Sequence, residues 1–230
     1  MNDSKLELFW ISGSPPSWRV MLALEVKGID YVSKRLDAAQ KEQKTAQFLA
    51  LNPRGKVPVI RQGNLVVRES IAIITYLEKK FPQPAILGVD APATGAIWQW
   101  LMDFDNYLHP ALVTFAQILF RNQVETREPE LSIAANTIQA EVEKIEECLT
   151  KYPYLVNNTL STADIVLYPE IQWIKRAIYQ NFQSISAQKI ADFLAACQEL
   201  QRWQKNVESL PNFERTYPPH WRIESEVTAF

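Results

Sequence analysis

The sequence has little of the side-chain chemistry from which most catalytic centres are assembled. Histidine occurs only twice, as His109 and His220, so a histidine-rich metal site or a serine–histidine triad is poorly supported. Cysteine also occurs twice, as Cys148 and Cys197, and neither belongs to a CxxC pair or a Cys/His cluster. That excludes a disulfide framework and a thioredoxin-type redox couple, and leaves two reduced, structural thiols. No apolar run approaches the roughly 18 residues of a membrane-spanning helix. The opening MNDSKLELFWISG lacks the basic and apolar regions of a secretory signal, so a cytoplasmic protein is expected. A large excess of charge of one sign is missing as well: 24 basic and 26 acidic side chains leave a formal −2 with no long single-sign run. Nothing here would draw in nucleic acid or an anionic membrane electrostatically.

What is present is a globular balance, 47% hydrophobic and 22% charged over 230 residues, which is enough for two modest domains. Leu6 to Ile11 is a short apolar run closed by Ser12-Gly13-Ser14-Pro15-Pro16, the pattern of a buried strand ending in a turn. Trp18 to Lys27 carries apolar residues at helical spacing and stops at Gly28. Tyr31 to Leu36 is a second strand candidate, and Phe48, Leu49 and Leu51 suggest a short helix broken by Asn52-Pro53-Arg54-Gly55. Val57 to Arg61 and Leu65 to Arg68 flank Gln62-Gly63-Asn64 as a hairpin. A further helix starts at Ser70 and ends before Pro82. The order β-α-β-α-β-β-α within residues 1–82 is that of an α/β domain.

Pro82, Pro84, Gly88, Pro92 and Gly95 then read as a linker, placed at residues 83–92. Residues 93–230 are expected to form an all-helical domain, with helices over Ala96 to Phe120, Ser132 to Leu149, Ala163 to Tyr179 and Ala187 to Val207. Ser161-Thr162-Ala163-Asp164 ahead of Ile165, Val166 and Leu167 is a capping-box pattern with Asp in the Glu position, and Asp164 is expected to be buried.

Three strings carry a family resemblance: S-x-P-S-W-R-V after the first strand, L-N-P-x-x-K-V-P before the hairpin, and E-S-x-A-I at the last helix of the first domain. Together they make the chain resemble a cytosolic glutathione S-transferase over nearly its whole length. The resemblance implies a thioredoxin-like N-terminal domain followed by an all-helical one, and no metal or organic cofactor, glutathione being a co-substrate. It also implies a homodimer with roles in detoxification and stress response.

The site follows the same comparison. Ser14 stands where the first strand hands over to a helix, whose start favours anions and lowers the pKa of a nearby thiol. In the serine-type members a hydroxyl at this place activates glutathione, which makes Ser14 the catalytic candidate; serine is equally a favoured helix cap. Ser17 is the reserve candidate. The resemblance makes Pro58 cis, with Val57 pairing with the cysteinyl backbone of glutathione and Lys56 neutralising its glycine carboxylate. Glu69 and Ser70 receive the γ-glutamyl end, Ser70 also suiting a helix cap.

Pro16, Tyr107 and Phe115 are candidates to line a pocket for the electrophile, although the two aromatics also fit helical core. The string S-W-R-V-x-x-A-L-x-x-K-G-I-D-Y is similar to the zeta class, which isomerises maleylacetoacetate, and Arg176 falls where a zeta arginine meets the substrate carboxylate. That class has Ser-Ser-Cys where this chain has Ser14-Pro15-Pro16, and serine followed by proline resembles the tau class instead. A conjugating transferase is therefore the leading expectation, beside a glutathione-dependent isomerase and a non-catalytic binding module.

Overall fold

The computed structural model describes residues 4–181 and 184–221. Contacts divide the described residues into two compact units, one of residues 4–86 with 210–221 and one within residues 87–209.

In the first unit, β1 (Glu7–Trp10) lies parallel to β2 (Val32–Arg35) and antiparallel to β3 (Val59–Gln62), which pairs antiparallel with β4 (Leu65–Arg68). The sheet order is β2-β1-β3-β4. Side chains alternate across a strand, so Leu8 and Trp10 of β1 reach one face while Glu7 and Phe9 reach the other. Leu8 and Trp10 join Val20, Met21 and Leu24 of α1 (Pro15–Val26), Ile60 of β3, and Ile73 and Leu77 of α3 (Ser70–Lys80) in one buried cluster. On the opposite face, Phe9 meets Phe48 of α2 (Ala46–Leu51) with ring centroids 6.1 Å apart. A short 3-10 turn, Glu42–Lys44, precedes α2. Lys27 is buried at the end of α1 and ties it to the end of α3, with its ammonium 2.7 Å from Glu78 and donating to the carbonyls of Phe81 and Pro84.

The C-terminal segment belongs to this unit, which corrects the expectation of a helical domain running from 93 to 230. Its short helix, which we label α10 (Phe213–Thr216), packs on α1: the Trp18 indole donates to Thr216 Oγ1 at 2.8 Å, and Tyr217 and Trp221 meet the Trp18 ring edge-on at 5.5 and 5.6 Å. Trp18 buries a large aromatic surface whose partners lie some two hundred residues away in the chain, a pairing that local periodicity cannot report.

The second unit contains α4 (Ala91–Asp103), a π turn (Phe104–Leu108), α5 (His109–Phe120), α6 (Val124–Leu149), α7 (Thr162–Gln180), α8 (Ile185–Ala196) and α9 (Gln198–Glu208). Helix α4 begins earlier than expected because Asp90 caps it, accepting from the Ala93 amide at 2.8 Å, and Pro92 occupies its first turn, where no amide is needed. Pro92 starts a helix instead of extending a linker. Helix α6 likewise begins ahead of Pro129, through a non-helical Arg127. The segment from Ala187 to Val207 is two helices, divided at Cys197 in extended conformation. The reason is tertiary: the Glu146 carboxylate of α6 accepts from the amides of Glu199 and Leu200 at 2.9 and 2.7 Å, capping a new helix from outside it. Asp164 is fully buried, as the capping box requires. Its oxygens accept from the amides of Leu155 and Ser161, the Ser161 hydroxyl and the Trp203 indole. Burial raises its carboxyl above the usual carboxylate range, against the pull of these four donors. Among the described residues, no helix is long and apolar enough to cross a membrane.

Candidate functional site

The turn between β1 and α1 places Ser14 at the N-cap of α1, half-buried and in extended conformation. Helix starts usually present several free amide donors. Here Pro15 and Pro16 occupy the first two positions and bring none. The next amide, Ser17 N–H, donates to Ser14 Oγ at 3.4 Å, and Trp18 N–H donates to the Ser14 carbonyl at 3.0 Å. The donors of this helix start are thus absent or used locally. The Ser14 hydroxyl oxygen accepts from Ser17, and among the described residues its own proton has no acceptor, with the helix dipole behind it. Ser17 is only 1% exposed, and its hydroxyl is buried without a hydrogen-bond partner among the described residues. Of the two serine candidates, Ser14 is the less buried residue.

The Val57–Pro58 peptide is cis. Pro58 is buried, Val57 half-buried and Lys56 exposed, immediately ahead of β3. The bend is fixed by Asn52, 2% exposed, whose amide group donates to the Lys56 carbonyl at 2.6 Å while its oxygen accepts from the Arg54 amide at 3.2 Å. The sequence marks Asn52 as a helix breaker and as part of the L-N-P-x-x-K-V-P string. The cue was available, because a buried asparagine in a turn satisfies backbone groups that nothing else reaches.

Glu69 is the cap residue of α3, at φ 67° and ψ 125°, a conformation that costs a non-glycine residue of order 1–3 kcal/mol. Its side chain makes no capping hydrogen bond and is exposed. Ser70 is the first helical residue, one position inside the expected cap, and is 6% exposed. Arg19 of α1, 7% exposed, donates from Nη1 to Ser70 Oγ at 3.4 Å. Arg19 was legible only as part of the S-W-R-V string. Its burial on an otherwise apolar helix face is what marks it as the link between the starts of α1 and α3.

The proposed electrophile-pocket residues are distributed over both units. Pro16 lies in the first turn of α1, half-buried. In the second unit, Tyr107 is 58% exposed in the π turn and borders a cavity of about 470 Å³ with Trp100, Cys148 and Tyr152. Arg176 is half-buried on α7. Phe115 is 0% exposed, so its ring offers no surface to a ligand; the helical-core alternative describes it.

A second cavity of about 470 Å³ lies in the first unit, beyond the ends of β1 and β2. It is bordered by Ser12, Arg35, Asp37, Glu42 and His220 among others. Ser12 Oγ lies 2.9 Å from His220 Nδ1. Neither residue was singled out from the sequence, because their pairing exists only once the C-terminal segment has folded back.

Comparison with known proteins agrees with this architecture. Residues 13–80 match the N-terminal domain model of glutathione S-transferases, and residues 108–211 match the C-terminal domain model. The chain is 32% identical to glutathione S-transferase 1 of Dianthus caryophyllus over 73% of its length and 76% of the relative's. It is also 32% identical to maleylacetoacetate isomerase of Mus musculus, over 74% of this chain and 79% of that one. The crystal structure of a glutathione S-transferase from the Antarctic clam Laternula elliptica superposes with a TM-score of 0.81 at 28% identity, covering 95% of this chain and 94% of that one. With both domain models matched in order along a thioredoxin-like unit and a helical unit, the chain belongs to the glutathione S-transferase family, whose members use glutathione as co-substrate.

Proposed function

We propose that the chain is a glutathione S-transferase in which Ser14 activates the bound thiol for attack on small, largely apolar electrophiles. One observation carries this reading: with Pro15 and Pro16 supplying no amide and Ser17 N–H turned onto Ser14 Oγ, the Ser14 hydroxyl is the donor left at the start of α1. A hydroxyl donating to sulfur, backed by the helix dipole, stabilises thiolate over thiol, and each pKa unit gained is worth about 1.36 kcal/mol. Lys56, Val57, Pro58, Glu69 and Ser70 orient glutathione: Lys56 takes the glycine carboxylate, Val57 the cysteinyl backbone, Ser70 the γ-glutamyl carboxylate and Glu69 its ammonium. Proximity supplies the remaining catalysis. The enzyme works as a cytoplasmic homodimer in detoxification; light scattering that returns only the 26.5 kDa monomer mass overturns the dimer.

The deciding experiment follows the thiolate absorbance of bound glutathione against pH in the wild type and in Ser14→Ala. It is paired with turnover of 1-chloro-2,4-dinitrobenzene and an isothiocyanate. The wild type lowers the thiol pKa below the free value and the variant restores it with loss of turnover. Binding with an unshifted pKa and no turnover identifies a binding module instead.

Glutathione-dependent isomerisation is the second reading, favoured by the mouse relative and by Arg176 on α7, twelve residues after Asp164. It requires Arg176→Ala to abolish turnover of a dicarboxylic substrate while conjugation of neutral electrophiles persists.

A further inference from the structure

Within the second unit, helices α7, α8 and α9 border a cavity of about 610 Å³ that includes none of the residues assigned to glutathione or to the electrophile. Small-molecule sites are concave, mostly apolar and roughly 300–1,000 Å³ in volume. Helix α8 supplies Ala191, Leu194 and Ala195 to the wall, none of them titratable. The titratable groups are Lys175 and Tyr179 of α7 and Lys205 and Glu208 of α9.

The two lysines of this cavity stand in different settings. Lys205 is exposed. Lys175 is half-buried, and its Nζ donates to Gln204 Oε1 at 2.7 Å, the oxygen of a neutral amide on a residue only 5% exposed. Lys27, the buried lysine of the first unit, instead has the Glu78 carboxylate at 2.7 Å. Among the described residues no carboxylate lies within 4 Å of the Lys175 ammonium; Glu208, which accepts from the Tyr168 hydroxyl at 2.8 Å, acts on it only through space. Burial therefore holds Lys175 below the ordinary lysine range, against the pull of Glu208. A desolvated amine on an apolar wall is a nucleophile, because more of it carries a free lone pair. A carboxylate ligand would meet Glu208 as well as the lysines, whereas a neutral carbonyl compound meets no opposing charge.

We propose that Lys175 is a covalent capture site for small apolar aldehydes, which enter the cavity between α7, α8 and α9 and form a reversible imine with its amine. In the step, the nitrogen lone pair forms a bond to the carbonyl carbon and the π pair moves to oxygen. A proton passes from nitrogen to that oxygen through solvent, giving a carbinolamine. The C–O bond then breaks, the leaving hydroxide takes a proton from solvent, and a C=N bond remains. One amine, one aldehyde and one proton give one protonated imine and one water, with no oxidant or reductant. The protonated imine carries its positive charge in the cavity that Glu208 borders.

The test treats the native protein, without glutathione, with benzaldehyde and sodium cyanoborohydride near neutral pH, and times the labelling of each lysine by peptide mass spectrometry. Lys205 is the control from the same cavity, and Lys175 is labelled at least about tenfold faster, the gain in neutral amine from one pKa unit. Gln204→Glu sets a carboxylate against the ammonium and slows Lys175 labelling at least about tenfold, without changing the rate at Lys205. Because Gln204 Nε2 has no hydrogen-bond partner among the described residues, an oxygen in its place breaks no bond, and thermal unfolding checks that the fold is kept. Lys175→Met removes the fast label and leaves chlorodinitrobenzene turnover unchanged. Benzyl alcohol, neutral and of similar size, protects Lys175. Lys175 labelled no faster than Lys205, or a Gln204→Glu protein labelled at the wild-type rate, overturns the inference. Protection by benzoate but not by benzyl alcohol shows a site for anions and overturns the aldehyde class. All of these outcomes leave activation at Ser14 untouched.

Discussion

Trp203 of α9 donates its indole N–H to Asp164 Oδ1 at 2.8 Å, so that a carboxylate at the start of α7 is shared between the cap of its own helix and the side chain of another. Asp164→Ala removes the acceptor for four buried donors, and unsatisfied groups of this kind cost about 1–3 kcal/mol each, with partial relief by rearrangement. The expected loss is about 3 kcal/mol or more of stability in urea unfolding. Trp203→Phe costs about 1 kcal/mol for its hydrogen bond, and glutathione binding by the surviving folded protein is unchanged in both.

Ser14 and Ser17 are separated by paired alanine variants. Ser14→Ala lowers kcat/KM for chlorodinitrobenzene by at least about 100-fold, while loss of the cap costs about 1 kcal/mol in stability. Ser17→Ala removes a buried hydroxyl that has no partner among the described residues, so stability holds or rises slightly and activity is kept. Activity lost in Ser17→Ala and retained in Ser14→Ala reverses the assignment.

Glu69 combines a strained backbone with an exposed carboxylate that makes no capping hydrogen bond at the start of α3. Glu69→Gly relieves the strain and is expected to be more stable by about 1 kcal/mol, the gain in conformational fit being offset in part by glycine entropy. Glu69→Gln leaves stability unchanged. Both variants raise KM for glutathione about tenfold by removing the partner of its ammonium, as initial-rate kinetics would show; a KM unaltered in both removes Glu69 from the site.

The two cysteines are expected to be slow nucleophiles. Burial raises Cys197 to about 11, and Cys148 is raised for the same reason. The neutral thiol of Cys197 is the dominant form until the pH approaches that value, so iodoacetamide modifies Cys197 at least about tenfold more slowly than free cysteine at pH 8, and Cys148 also reacts more slowly than free cysteine. The Cys197 rate then climbs about tenfold per pH unit while the protein remains folded. A fast-reacting Cys197 at pH 8 contradicts its burial.

How far the sequence reaches is visible residue by residue. The order of strands and helices in residues 7–80, the hairpin, the Ser161–Asp164 capping box and the position of Ser14 at a strand-to-helix turn were all legible, because each rests on contacts or dihedral preferences within a few residues. Helix limits failed where the deciding group came from elsewhere. Glu146 divides α8 from α9 by capping across 53 residues, and no local pattern at Cys197 announces the break.

The sequence by itself determined the family, through three short strings whose prolines and serines set local backbone geometry. The tertiary structure decided that Ser17 is buried, that Phe115 is core, and that Arg19 joins Ser70. It also decided that residues 210–221 fold onto the first unit and bring His220 to Gly13 and Ser12. Accessibility and long-range pairing depend on how whole elements pack, and two side chains some two hundred positions apart leave no periodic trace of each other in a single sequence.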